Sequence, residues 1–145
     1  MNIFKAGALR RIHQIRQDDC GIACVAIIAN TTYKKSWTII KKYLPKSSKR
    51  YTRTKVIRKA LIHFNIKLSK AVTISDWSKI NKLSLVAVNF VPSLGIWHWV
   101  IAVPVADKII VIDPAQKNIV KNIDSLKPVA YYAITRTNVQ PKRNK

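Results

Sequence analysis

Among thiols, imidazoles and carboxylates, the chain holds two cysteines, three histidines and six acidic residues, all of them aspartate. Cys20 stands in the string Gln14-Ile15-Arg16-Gln17-Asp18-Asp19-Cys20-Gly21-Ile22-Ala23-Cys24, where an irregular arm runs into an apolar stretch. A thiol in the first turn of a helix meets free backbone N–H groups and the positive end of the helix dipole. Both favour the thiolate near neutral pH. The same N–H groups can receive the oxyanion of a tetrahedral intermediate. Gln14, six residues earlier, has enough chain to fold back and add its side-chain amide. A base is supplied by His98, in Gly95-Ile96-Trp97-His98-Trp99-Val100-Ile101, and an orienting acid by Asp113, in Ile110-Val111-Ile112-Asp113-Pro114. If the chain turns at Ala106-Asp107, His98 and Asp113 come within a residue or two of facing each other. A carboxylate so placed holds the Nδ1–H of the imidazole and leaves Nε2 for the sulfur. These types and spacings describe a thiol acyl-transfer site.

The elements that must position those residues follow from periodicity. Asp18 or Asp19 caps a first helix, and residues 21–29 are apolar nearly all round, as in a buried helix. A second helix is expected from Ser36 to about Leu44, stopped by Pro45. A third begins at Thr52 or Thr54 and runs to about Phe64, with Val56, Ile57, Ala60, Leu61 and Phe64 at helical spacing. The period then changes. Residues 66–71, 83–90, 96–105, 108–112 and 129–135 are short, β-branched and aromatic runs separated by turn residues. Helices first and antiparallel strands second define an α+β domain, placed at residues 1–136, with 137–145 as a basic C-terminal tail.

The string from Gln14 through Asp19-Cys20-Gly21 to Ala23-Cys24, a later His98 followed by aliphatics, and Asp113-Pro114 after a hairpin resemble the bacteriocin-processing cysteine peptidases. These are papain-like domains that cut leader peptides after a double glycine. The resemblance spans roughly residues 12–136 and implies a papain-like fold. It implies Cys20 as nucleophile, His98 as base, Asp113 as orienting acid and Gln14 as oxyanion donor. It also implies a polypeptide substrate cut after Gly-Gly, with Gly21, Trp97 and Trp99 as substrate-binding residues and with Trp97, Trp99 and the Asn89–Leu94 loop as the sources of a narrow cleft's walls. Family members are usually fused to a membrane-spanning exporter, whereas this sequence has neither a membrane segment nor a phosphate loop. A free-standing relative is expected, either a leader-processing protease or a toxin of the kind used between bacteria and neutralised by an acidic immunity protein.

Other readings of the same residues stand beside these. Trp97 and Trp99 alternate with His98 and face away from it, as packing or as cleft walls. Cys24, one turn deeper than Cys20, reads as core, and His13 and His63 as structural or exposed. Asp113 before Pro114 can also be a turn former. Two cysteines and scattered histidines lack a zinc pattern, so neither a metal nor another cofactor is expected. Two cysteines four apart in one helix do not suit a disulfide. Twenty-seven Lys and Arg give a net charge of +21, and residues 34–59 carry eleven of them with no acid. Such a face suits an acidic protein better than nucleic acid, whose usual recognition motifs are absent. The alternative to a peptidase is a basic protein- or nucleic-acid-binding module on the same scaffold without catalytic activity. No apolar run reaches the ~20 residues that a membrane-spanning helix needs, and the N-terminal apolar stretch is too short for a secretory signal. A cytoplasmic site of action, where the thiols stay reduced, is expected.

Overall fold

A helix that is apolar all round must be covered on every side, so it needs a layer above and a layer below. The computed structural model, which describes Leu9 and residues 12–46, 49–116, 120 and 123–136, supplies both. Helix α1 (Cys20–Ile28) is buried at all nine positions. It is sandwiched between α2 (Tyr33–Ile40) and α3 (Thr54–His63) on one side and an antiparallel sheet on the other. The sheet comprises β1 (Ile66–Leu68), β2 (Val72–Thr73), β3 (Ser84–Val91), β4 (Ile96–Val105), β5 (Lys108–Ile112) and β6 (Pro128–Arg136). Its order is β1-β6-β3-β4-β5, with β2 also paired to β6. The expected α+β class is observed. The tail from 137 onward and residues 1–8 lie outside the described residues.

Alternation decides which face each strand residue serves. Leu85, Ala87, Trp99, Ile101, Val103 and Ile112 pack with α1 in the main core. Val86, Val88, Val100, Ala102 and Val111 form a second cluster on the other face, closed by two short 3₁₀ turns, Trp77–Lys79 and Ile123–Ser125. The Trp77 indole N–H donates to the Leu126 carbonyl at 3.1 Å and ties the two turns together.

Three local departures from the sequence expectation have physical causes. Asp19 occupies the N-cap position of α1 but makes no capping bond, because both carboxylate oxygens accept N–H groups of the preceding arm instead. Helix α2 starts at Tyr33, three residues early, since the Thr32 hydroxyl accepts from Lys35 N at 3.1 Å and caps it. It ends at Ile40, where bonds from Lys42 N to Ile39 O and from Tyr43 N to Ile40 O tighten the chain ahead of Pro45. The strand expected over 66–71 breaks after Leu68, where the Ser69 hydroxyl takes over a ladder position by accepting from Ala133 N at 2.9 Å. The β4–β5 hairpin matches its expected bounds, with Val105 paired to Lys108 around Ala106-Asp107.

Gly21 lies hard against Thr52, just before α3, and against the Trp99 ring of β4. A Cβ built there would clash with Thr52 Oγ1 and lie 3.0 Å from Thr52 Cβ and 3.1 Å from Trp99 Cδ1. Gly21→Ala is therefore expected to cost about 1–3 kcal/mol of stability, as overpacked cores do. Thr52→Ala should recover part of that loss, because its hydroxyl is buried without a partner and is the nearest obstacle. Denaturant unfolding of the single and double variants measures both effects. An unchanged midpoint for Gly21→Ala would contradict the close approach.

Candidate active site

Cys20 is the first residue of α1, and its side chain points at the main chain of β4. The Trp99 backbone N–H donates to Cys20 Sγ at 3.4 Å. This donor and the N-terminus of α1 both face the sulfur. No side chain caps α1, so neither Asp18 nor Asp19 places its charge on the N–H groups the sulfur needs. Asp18 accepts instead from Arg50 N at 2.9 Å and from the Arg16 guanidinium at 2.9 and 3.2 Å. Cys24 Sγ, one turn deeper, donates to the Trp99 carbonyl at 3.5 Å. Burial first, then the negative charges of Cys20 and Asp113, push the Cys24 thiol well above its usual range. It is a buried core residue that stays protonated.

His98 and Asp113 meet as the hairpin predicts, with one correction. Ile101 pairs with Ile112, so the register carries Asp113 opposite Val100, two residues from His98 and on the same face. The pair forms through Nε2, which lies 2.6 Å from Asp113 Oδ1, and not through Nδ1 as the sequence reading had it. Asp113 sits diagonally across the hairpin and meets the far tip of the ring. The sulfur lies against the peptide that follows His98, within reach of Nδ1, the nitrogen next to the backbone. Asp113 is 4% exposed, and its Oδ1 also accepts from Ala115 N at 2.9 Å, which fixes the carboxylate at the start of the turn.

The charge state of the imidazole follows from its neighbours. Burial disfavours the cation, but hydrogen bonds to Asp113 and Cys20 and the negative charge of both outweigh it. They push His98 from 6.5 up to about 10. The arrangement holds an imidazolium between the Cys20 sulfur and the Asp113 carboxyl group.

Gln14 is brought to the same end of the hairpin, its backbone N–H donating to the Pro114 carbonyl at 2.9 Å. Its side-chain Nε2 donates to Arg16 O at 2.6 Å, and Oε1 is buried without a partner. Gly21 and Trp99 lie behind the thiol. Gly21 is buried and Trp99 is 1% exposed, with its indole N–H on Thr52 O at 2.9 Å, so both are packing and do not wall a cleft. Trp97 is half-buried, edge-on to Trp99 at 5.6 Å, with the Arg53 guanidinium 5.9 Å above its ring. It lines a hollow of about 110 Å³ with Tyr51, Thr52, Arg53, Gly95 and Ile96. On its other side, Trp97 lines an apolar hollow of about 190 Å³ with Phe90, Val129 and Tyr132. His13 is exposed and bonded to the Gln14 carbonyl, and His63 is exposed against Phe64. Among the described residues, no group of three or more His, Cys or acidic side chains converges as a metal site would require.

The sequence reading missed the Trp99 N–H and Thr52. Both act through main-chain or packing contacts, which residue types do not announce.

A thiol on a helix N-terminus, facing an imidazole and a carboxylate from adjacent antiparallel strands, defines the papain-like class of cysteine peptidase. Within that class the chain belongs to the Peptidase C39 family, a family of cysteine peptidases, whose model matches residues 9–131. The fold is similar to a double glycine motif protease from an AMS/PCAT transporter, solved in complex with the leader peptide. That match has TM-score 0.66 and 16% identity, and covers 89% of this chain and 92% of the other. It is also similar to the peptidase domain of Streptococcus ComA, a bifunctional ABC transporter of a quorum-sensing pathway. Here the TM-score is 0.62 and the identity 15%, covering 87% and 97% of the two chains. Comparison with curated proteins gives no match.

A raised folded value means that protonation of His98 favours the fold. That contribution is complete below 6.5, the value in an unfolded chain, and is lost as pH rises through about 10. NMR titration of the His98 ring should show no transition near 6.5 and a midpoint near 10. The midpoint should fall in Asp113→Asn, which removes the negative partner. A midpoint near 6.5 in the parent protein would contradict the ion-pair assignment.

Proposed function

We propose that the protein is an endopeptidase that cleaves a polypeptide after two glycines by thiolate acyl transfer. The observation that carries the chemistry is the line Cys20–His98–Asp113, with Nε2 on the carboxylate at 2.6 Å and the remaining ring nitrogen toward the sulfur. The thiolate attacks the carbonyl carbon of the second glycine. Backbone N–H groups at the start of α1 and the Gln14 amide receive the oxyanion. His98 passes its proton to the leaving amine, which departs as the tetrahedral intermediate collapses to a thioester. Water, deprotonated by His98, attacks the thioester carbonyl; the acid is released and the sulfur departs as thiolate beside the reprotonated imidazole. Asp113 keeps the ring oriented throughout and is not itself consumed.

The double-glycine preference is supported by family membership and by the solved relative whose name carries that motif. The hollow lined by Trp97, with the Arg53 guanidinium 5.9 Å above its ring, is the candidate for the wall that would exclude a substrate Cβ. The expected role is leader processing or a toxin-like attack on another cell's protein, in a compartment that keeps thiols reduced. Peptides carrying Gly-Gly, Gly-Ala and Ala-Gly at the cut site test the preference. Each added methyl is expected to slow cleavage by roughly tenfold or more, since overpacking a rigid slot costs about 1–3 kcal/mol. Cys20→Ala should abolish cleavage of all three, and Cys24→Ala should retain most activity. Equal rates on the three peptides remove the double-glycine assignment and leave the nucleophile standing. Activity in Cys20→Ala removes both.

The charge of the helical layer supports an acidic partner, either a substrate flank or an inhibitor of the immunity-protein kind. Lys34, Lys35, Lys41, Lys42, Lys55 and Lys59 are exposed, and no acid occurs between Asp19 and Asp76. Arg58 is not part of that face, because its guanidinium donates to the carbonyls of Leu68 and Ser69 at 2.6 and 3.2 Å. Changing Lys41, Lys42, Lys55 and Lys59 to Glu should slow association with an acidic polypeptide. It should also flatten the salt dependence, since exposed charges are screened over about 10 Å at 0.1 M salt. Cleavage of a short neutral peptide should be unaffected. Stopped-flow binding across salt concentrations reads this, and a salt-insensitive on-rate in the parent protein argues against the partner.

A further inference from the structure

Asp19 immediately precedes the nucleophile and is 0% exposed. A carboxylate removed from water needs strong compensation, and its partners show where that compensation comes from. Oδ1 and Oδ2 accept from Arg16 N at 3.1 and 3.0 Å, and Oδ2 also accepts from Ile15 N at 3.1 Å. The Tyr33 hydroxyl of α2 donates to Oδ2 at 2.6 Å and itself accepts from Arg50 Nη1 at 3.0 Å. The Arg50 guanidinium is held 4.2 Å over the Trp37 ring. Burial, and then the bond to Asp19, raises the Tyr33 hydroxyl to about 12, so it remains a donor across the working range.

The two peptides gripped by Asp19 are those that follow Gln14. The Gln14 carboxamide in turn leans on Arg16, with Nε2 donating to the Arg16 carbonyl at 2.6 Å. At its other end the arm is pinned by the bond from Gln14 N to Pro114 O, 2.9 Å long, beside Asp113. A primary amide carries two N–H groups. One donates to the Arg16 carbonyl, and the amide has a second to give.

We propose that Asp19 is a positioning residue: it clamps the Ile15 and Arg16 peptides and thereby sets the Gln14 amide toward the oxyanion. Tyr33 and Arg50 offset its charge, so that a carboxylate one residue from the sulfur does not oppose the thiolate. The inference rests on the peptidase reading, and its action runs through Gln14 and not through Cys20.

That distinction is measurable. Asp19→Asn preserves shape but sets an NH₂ against the Arg16 N–H in one amide orientation, or against all three donors in the other. It should lower kcat for the Gly-Gly peptide on the order of 10- to 100-fold, the range for loss of an oxyanion donor, and leave KM within about twofold. In the Gln14→Ala background the same change should cost less than about twofold, because residues acting as one unit do not add. Iodoacetamide should alkylate Cys20 at the parental rate near pH 6.5. Tyr33→Phe, which keeps the ring and loses the donor, should show the same pattern with a smaller loss and covers the case of an unstable Asp19→Asn. The activity-free reading is the Gln14 side-chain amide in NMR, resolved and slowly exchanging in the parent and averaged in Asp19→Asn. Losses that multiply, slowed alkylation, or a Gln14 signal that stays rigid in the variant would each overturn the proposal. A parent protein that cleaves no Gly-Gly peptide refutes the double-glycine reading instead, and the Gln14 signal still decides the role of Asp19.

Discussion

The start of α1 is fastened to the middle of β4 by two contacts with one residue. The Trp99 N–H reaches Cys20 Sγ at 3.4 Å, and the Trp99 carbonyl receives the Cys24 thiol at 3.5 Å. This double contact fixes how deep the helix lies on the sheet, and the other features of the site follow from that depth. Gly21 is required because Thr52 and Trp99 leave no room for a side chain beside the sulfur. The peptide after His98 lies against the sulfur, so the ring turns its near nitrogen to the thiol and its far nitrogen to Asp113. Trp99 spends its indole N–H on the Thr52 carbonyl, which anchors the segment leading into α3. The contact is no more than one pair of hydrogen bonds involving sulfur. Its authority comes from the buried core around it.

Much of this was legible in the amino-acid order. The bounds of β4 and β5 stand out because β-branched and aromatic runs stop at Ala106-Asp107, and the buried helix because residues 21–29 are apolar at every phase. Hairpin geometry then brings His98 and Asp113 together without further information. What the sequence did not disclose depends on side-chain direction. Asp19 reads as a helix cap by type and position, yet the arm's N–H groups compete successfully for its oxygens. The choice of ring nitrogen needed the depth of α1 on β4. The resemblance implied a substrate-binding role for Gly21 and Trp99, whereas alternation along β4 left packing open for Trp99, and Trp99 is 1% exposed in the helix-facing core. Arg58 counted as a surface charge until its bonds to two carbonyls at the end of β1 were seen.

The acids are few, and several are already committed to organising structure. Asp18 and Asp19 order the arm, Asp113 holds the imidazole, and Asp76 caps a 3₁₀ turn through Ser78 N at 2.9 Å. None of these is available to neutralise the helical layer. Positive potential therefore accumulates on that layer, and it acts on encounter rates over distances at which the shape of the cleft is not felt.

Cys20 and the residue whose N–H it accepts are separated by 79 positions. The nucleophile belongs to the helical half of the chain, and its base and acid belong to a hairpin that follows much later. Loop-closure entropy makes such distant pairings late events in folding. A nascent or partly unfolded chain therefore presents a sulfhydryl without a proton acceptor and an imidazole without a sulfur. The site exists only once the sheet has closed over the helix, and whatever loosens that one contact separates the sulfur from its base.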